Sequence, residues 1–123
     1  MSELQPELTI VTEEELNAAA EARKTSLLLQ VGSEACVRCP AFHDAIAKLK
    51  DAYQFQWAYC DAHNADTDVP ETFAITKLPA FVLYAPDPTG DKSPTVVANA
   101  SPEQLQSAVS TTCIPVFTVD ADF

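Results

Sequence analysis

The sequence predicts an α/β domain in which helices flank a central mixed β-sheet. Its 123 residues are enough for one globular domain with a single core. Strand-like and helix-like segments follow one another in the order β-α-β-α-β-α-β-β-α, and such alternation predicts parallel strands joined by right-handed crossovers. A turn-rich segment between the last two strands predicts an antiparallel hairpin, so the expected sheet is mixed.

The first half of the chain predicts two strands and two helices. Residues 8–11 favour a short strand, and a capping box formed by Thr12 and Glu15 opens the first helix. Residues 26–31 are almost continuously apolar, which is typical of a central strand covered on both faces. From Cys36 onwards, apolar side chains recur at spacings of four, three and four, which is the period of a helix. These side chains are Phe42, Ile46, Leu49 and Tyr53.

The second half predicts three strands and two helices. Residues 55–60 alternate between large apolar and other side chains, as the faces of a strand do. Asp68, with a proline two residues later, favours a short helix. Residues 80–84 and 95–97 predict the hairpin, and Ser101 opens the final helix as an N-cap followed by proline.

Two regions are expected, a domain over residues 1–112 and a C-terminal extension over 113–123. After Cys113 the extension alternates β-branched and aromatic residues with others, a composition that favours an extended segment. Disordered termini are usually poor in such residues. The extension is therefore expected to be ordered, either packed on the domain or added as a strand to the sheet of a protein partner.

Charge and hydropathy exclude several classes of function. The net charge of -11 arises from 18 acidic against 7 basic residues, and no segment concentrates the basic ones. Such an acidic protein repels phosphate backbones, so no nucleic acid partner is expected. No apolar run approaches the roughly 20 residues of a membrane span, so no membrane partner is expected either. The acidic, polar first residues differ from a secretory signal, which predicts a cytoplasmic location.

A pair of cysteines at C-x-x-C spacing carries the candidate chemistry. A reducing compartment argues against a structural disulfide framework, so the pair is expected to be redox-active or metal-binding. Cys36 lies at a predicted strand-to-helix junction, where the helix dipole lowers the pKa of a thiol. Arg38 would add positive charge and Glu34 would oppose it. Cys36 is thus the expected nucleophile and Cys39 the resolving thiol.

Other interpretations of the cysteines and histidines remain open. Cys36 and Cys39, with Cys60 and His63 after 20 intervening residues, have the composition of a zinc site. Against this, the two pairs of candidate ligands each lie in a regular helix or strand of a domain with its own core. No metal is therefore expected. The pair could also simply pack at a helix start. Cys60 and Cys113 are interpreted as small buried hydrophobes, and His43 as a residue that could modulate Cys39.

Three segments of the chain match a known family: the apolar strand 27–31 leading to Cys36-Val37-Arg38-Cys39, then Tyr59-Cys60-Asp61, then residues 73–84, which contain Leu78-Pro79. On these segments the chain resembles the thioredoxin family over about residues 8–112. The resemblance implies a thioredoxin-like fold and thiol-disulfide exchange with protein substrates, with a reductase for recycling and no bound cofactor. It also implies that Pro79 is cis beside the cysteine pair and that the backbone of Leu78 pairs with substrate.

The sequence departs from the family pattern around these motifs. Ala35 stands where family members usually have tryptophan, and Val37-Arg38 replaces glycine-proline. Gln30 falls at the position of the buried acid and Trp57 at that of its lysine neighbour, so neither position ionises and a general base cannot be carried over. These departures favour an alternative function, a thioredoxin-fold binding or structural module of a larger assembly with incidental or no redox activity.

Overall fold

Six strands and four helices are present in the part of the chain that the structure describes. The structure is a computed structural model, and it describes residues 6–33, 39–86, 94–99 and 101–115. The strands are β1 (Leu8–Thr9), β2 (Ser26–Gly32), β3 (Tyr53–Asp61), β4 (Ala80–Tyr84), β5 (Thr95–Ala98) and β6 (Ile114–Pro115). The helices are α1 (Glu13–Ala22), α2 (Cys39–Ala52), α3 (Val69–Thr72) and α4 (Pro102–Thr112). The predicted order is confirmed, with one short strand added at its end.

The sheet is mixed and β2 lies at its centre. The strand order is β1-β3-β2-β4-β5, and the short strand β6 additionally pairs with β3. β2 runs parallel to β3, with Ser26 opposite Phe55, and antiparallel to β4, with Val31 opposite Ala80. Every residue of β2 is buried, as its apolar run predicts. β4 and β5 form the predicted antiparallel pair.

The sheet divides the core into two layers, because side chains of a strand alternate between its faces. On one face, Leu27, Leu29 and Val31 of β2 pack with residues of α1 and α3. On the other face, Leu28 packs with residues of α2 and α4. The helical residues of this second layer are Phe42, Ile46, Leu49, Leu105 and Val109. The candidate site lies on the side of this second layer.

Two helices begin at the capping boxes that the sequence predicts. The Thr12 hydroxyl accepts a hydrogen bond from the Glu15 N–H at 3.2 Å, and the Glu15 carboxylate accepts one from the Thr12 N–H. Ser101 and Gln104 make the same reciprocal pair at the start of α4. Each cap satisfies backbone donors that a helix start leaves unpaired, and such a residue is worth about 1 kcal/mol.

One predicted boundary differs from the structure by a residue, and one predicted helix start is confirmed but uses a different contact. Tyr53 continues the helical spacing of α2 but is the first residue of β3, because the strand pairs with β6 at that point. Asp68 precedes α3 but makes no side-chain cap there. Its carboxylate instead accepts a hydrogen bond from the N–H of Glu13, in the first turn of α1, at 2.7 Å. The predicted start of α3 at Asp68 is therefore confirmed, and the Asp68 side chain satisfies a backbone N–H at the start of α1 instead of one in α3.

The last described strand ties the C-terminal segment to the domain. Ile114 and Pro115 pair antiparallel with Gln54 and Tyr53 of β3. The prediction of an extended segment is confirmed for these two residues, and residues 116–123 lie outside the described part of the chain. None of the described helices has the length and apolar character needed to cross a bilayer.

Candidate active site

Cys39 is the first residue of α2 and packs against the end of the central strand. A methyl group built on Gly32, the last residue of β2, would lie only 3.0 Å from the Cys39 Sγ atom. The missing side chain of Gly32 therefore makes room for the sulfur. Because Cys39 stands at a helix N-terminus, unpaired backbone N–H groups and the positive end of the helix dipole are close to it.

The described cysteines fall into two groups. Cys39 is disulfide-bonded, whereas Cys60 and Cys113 are free and buried. Burial is the largest influence on both free thiols, and it raises the pKa of Cys60 and of Cys113. Thiols that are buried and hard to ionise are poor nucleophiles. The interpretation of Cys60 and Cys113 as buried hydrophobes is confirmed, and Cys39 is the described cysteine that takes part in a disulfide.

A neutral polar pair lies in the second layer below Cys39. The Trp57 indole N–H donates a hydrogen bond to the Gln30 side-chain oxygen at 3.0 Å, and both side chains are buried. The His43 ring, one turn along α2 from Cys39, makes an edge contact with the Trp57 ring at 4.9 Å between centroids. Trp57 is a core residue, as expected. The pairing explains why Gln30 can be buried, since the indole satisfies its oxygen.

The Leu78–Pro79 peptide bond is cis, as the resemblance predicts. Pro79 precedes Ala80, which lies opposite Val31 near the end of β2. The cis bond is therefore at the same edge of the sheet as Gly32, against which Cys39 packs. Leu78 is half-buried and contacts the first core layer. The register of β2 and β4 thus places two motifs that are 40 residues apart in the sequence at one edge of the sheet.

Other predicted site residues lie apart from this cluster or outside the described part. Cys36 and Arg38 belong to residues 34–38, which are not among the described ones. Cys60 lies on the first-layer side of the sheet, where its sulfur contacts the Thr67 hydroxyl at 3.3 Å, and His63 is exposed. Within the described ranges, no three potential metal ligands are grouped.

Two residues near Cys39 are not among the predicted site residues. Gly32 follows the apolar run 26–31, and Tyr59 falls within the alternating segment 55–60. Gly32 lies beside the Cys39 sulfur, and a methyl group on Gly32 would also approach the Tyr59 ring at 3.5 Å and its hydroxyl at 3.6 Å. The available signal was the glycine itself, because the chain has only two. An isolated glycine in a strand marks close approach of another group.

Comparison with known proteins identifies the fold. A scan against protein-family models and a search of curated proteins both find no match. Among solved structures, thioredoxin from Plasmodium falciparum superposes with a TM-score of 0.71 at 16% identity, over 87% of each chain. Oxidised mitochondrial thioredoxin 3 from Saccharomyces cerevisiae gives a TM-score of 0.67 at 17% identity, over 85% of this chain and 93% of that one.

A thioredoxin from a plant is similar to this chain to the same degree. Oxidised thioredoxin O2 from Arabidopsis thaliana has a TM-score of 0.67 at 16% identity, over 89% of this chain and 97% of its own. The chain thus has the thioredoxin fold, a mixed sheet with flanking helices, as the sequence predicts. The superpositions cover 85–89% of this chain and 87–97% of these proteins.

Proposed function

We propose that the chain is a thiol-disulfide oxidoreductase that exchanges dithiol and disulfide with protein substrates. One observation carries the proposal: Cys39 is disulfide-bonded at the first residue of α2, next to the end of the central strand of a thioredoxin fold. Cys60 and Cys113 are free, so the proposed partner is Cys36, three residues earlier. A disulfide at a helix start is well placed for exchange, because the helix dipole stabilises the thiolate that opening the bond releases.

The proposed reaction uses the two sulfurs in sequence. The Cys36 thiolate attacks a substrate disulfide, so that a Cys36–substrate bond forms and one substrate sulfur leaves as a thiol. The Cys39 thiolate then attacks the Cys36 sulfur, the internal disulfide forms, and the second substrate thiol is released. The substrate gains two electrons and the chain loses two. A recycling reductase must therefore return both electrons, and the sulfur chemistry itself needs no bound cofactor.

Substrate binding is proposed at the cis bond. The backbone of Leu78 would pair with an extended substrate segment, as a strand is added to a sheet edge. Support comes from the position of Pro79 at the same edge of the sheet as Gly32, against which Cys39 packs. Two residues are proposed to modulate the site. Arg38 would favour the thiolate of Cys36 by its charge, and the neutral Gln30 would place no ionising group at its own position.

The alternative is a binding module that keeps the fold and has no physiological redox role. The buried Gln30–Trp57 pair favours it, because a neutral amide and indole cannot move a proton to or from Cys39. An assay of disulfide reduction separates the two functions, because a binding module would not accelerate the reduction of a substrate disulfide beyond the rate of the reductant alone.

Reduction of insulin by dithiothreitol tests the proposal. Insulin precipitates when its interchain disulfides are reduced, so turbidity is compared with and without the chain. The parent is expected to shorten the lag, and C36S and C39S are each expected to lose this effect. The matched control is C113A, which removes a free buried thiol and should retain activity. A parent indistinguishable from buffer, or a C36S variant as active as the parent, would contradict the proposed function.

A further inference from the structure

Tyr59 lies against the same glycine as Cys39. It belongs to β3 and its Cα is paired with that of Gln30 on β2, two residues before Gly32. The Tyr59 hydroxyl is 3.6 Å, and the Cys39 Sγ atom 3.0 Å, from the point where a Gly32 side chain would begin. The phenol and the sulfur therefore both lie within 4 Å of the same point above Gly32. Tyr59 is half-buried, so water competes only partly for its hydroxyl.

The other polar groups near Cys39 are engaged elsewhere. The Gln30 oxygen accepts the Trp57 indole N–H, and this amide does not ionise. Asp61, opposite Gly32 on β3, directs a carboxylate oxygen to the N–H of His63 at 2.9 Å. His43, the titratable group of α2 one turn from Cys39, lies against the Trp57 ring. Tyr59 is thus the hydroxyl-bearing side chain that shares the space above Gly32 with the sulfur.

We propose that Tyr59 is a positioning residue for Cys39, whose hydroxyl donates a hydrogen bond to the Cys39 sulfur when the disulfide is open. The inference rests on the proposed function, in which Cys39 resolves the mixed disulfide. A phenol keeps its proton at neutral pH and can donate it to an anion. Hydrogen bonds to a charged acceptor are about twice as strong as neutral ones, so this contact favours the thiolate over the thiol.

The resolving step gains from that stabilisation. The Cys39 thiol loses its proton to solvent, and its thiolate forms a bond to the Cys36 sulfur. The bond between Cys36 and the substrate sulfur breaks, and the substrate leaves as a thiolate that takes a proton from solvent. Tyr59 itself keeps its proton throughout. Its effect is to raise the fraction of Cys39 that is ionised and to hold the sulfur over Gly32.

The test is the pH profile of Cys39 alkylation. Iodoacetamide reacts with the thiolate, and the C36S background leaves Cys39 as the thiol to follow, by mass spectrometry of its peptide. Y59F in this background is expected to move the midpoint of the profile upward by about one pH unit, a tenfold lower rate below the midpoint. The matched control is Y53F, which makes the same change on the same face of β3 at its other end, beside β6. It should leave the midpoint unchanged.

The outcomes separate this inference from the proposed function. Coincident profiles for Y59F and Y53F, with both variants folded by circular dichroism, would overturn the role of Tyr59. A parent that fails to reduce insulin would overturn the oxidoreductase proposal instead, while the alkylation profile would still decide whether Tyr59 acts on Cys39. A midpoint that rises only in Y59F supports the inference, because loss of packing alone would not change the ionisation of one thiol selectively.

Discussion

Replacing Gly32 with alanine tests how tightly the end of the central strand is fitted to the disulfide. The added methyl carbon would lie 3.0 Å from the Cys39 Sγ atom. This is well inside the optimal separation of non-bonded heavy atoms, about 3.5–4.0 Å. The sulfur is held by the disulfide and by the start of α2, so it cannot rotate away without moving the helix.

Two opposing effects determine how much G32A changes the free energy of unfolding. Overpacking of a well-packed site costs about 1–3 kcal/mol. Replacement of glycine by alanine in an unstrained conformation is otherwise stabilising by about 0.4–1 kcal/mol, because the unfolded chain loses freedom. Gly32 is not among the residues with positive φ, so this second effect applies in full. The clash is the larger of the two, and we expect G32A to destabilise the oxidised protein by about 1–2 kcal/mol.

A double-mutant cycle isolates the contact with the sulfur. Urea unfolding of the parent, G32A, C39A and the double variant G32A/C39A is compared without reductant. In the C39A background the sulfur is gone, so G32A should be neutral or slightly stabilising. In thermal unfolding, the destabilisation expected for G32A with Cys39 present corresponds to a decrease in Tm of about 4 °C per kcal/mol for a domain of this size. An equal effect of G32A in both backgrounds would refute the argument, because the cost would not come from Cys39.

Two further predictions concern the interior and the C-terminal strand. Gln30→Leu is expected to cost about 1–3 kcal/mol in urea unfolding, because it buries the Trp57 indole N–H without an acceptor. The matched change Gln56→Leu, at a half-buried position of β3, should cost less than half of this; equal costs would contradict the role of the hydrogen bond. Truncation after Cys113 removes β6 and is expected to lower stability by about 1 kcal/mol without changing elution in size-exclusion chromatography. Unchanged stability with lost association would instead assign the extension to a protein partner.

The elements of the fold were predictable where the sequence determines them locally. Thr12 and Ser101 each begin a helix through a capping box, a signal contained within four residues. β2 was predicted as central because both of its faces are apolar, and this follows from composition alone. The ends of helices and strands are harder to predict where pairing with a strand distant in sequence determines them. Tyr53 fits the helical period and is nevertheless in β3, because its pairing with β6 comes from the far end of the chain.

The candidate site was predictable only in its motifs. Cys39 and Pro79 could be chosen from their sequence context, and the cis bond at Pro79 is confirmed. The contacts of Gly32 and Tyr59 could not be predicted, because they depend on the register between β2 and β3. A shift of one residue would turn Tyr59 to the opposite face of the sheet. The hydrogen bond between Gln30 and Trp57 depends on the same register.

The Gln30–Trp57 pair changes where protons can come from in this fold. A buried carboxylate would require partners to offset the cost of its burial and would make the interior sensitive to pH. Here the amide oxygen and the indole N–H satisfy each other, so their hydrogen bond persists at any pH at which the chain is folded. The Gln30–Trp57 pair therefore adds no titration of its own to the reactivity of Cys39. The pH profile of Cys39 alkylation in a Gln30→Glu variant of the C36S background tests this, since a buried carboxylate at position 30 should add a titration that the C36S background lacks. Coincident profiles of the two variants would contradict the argument.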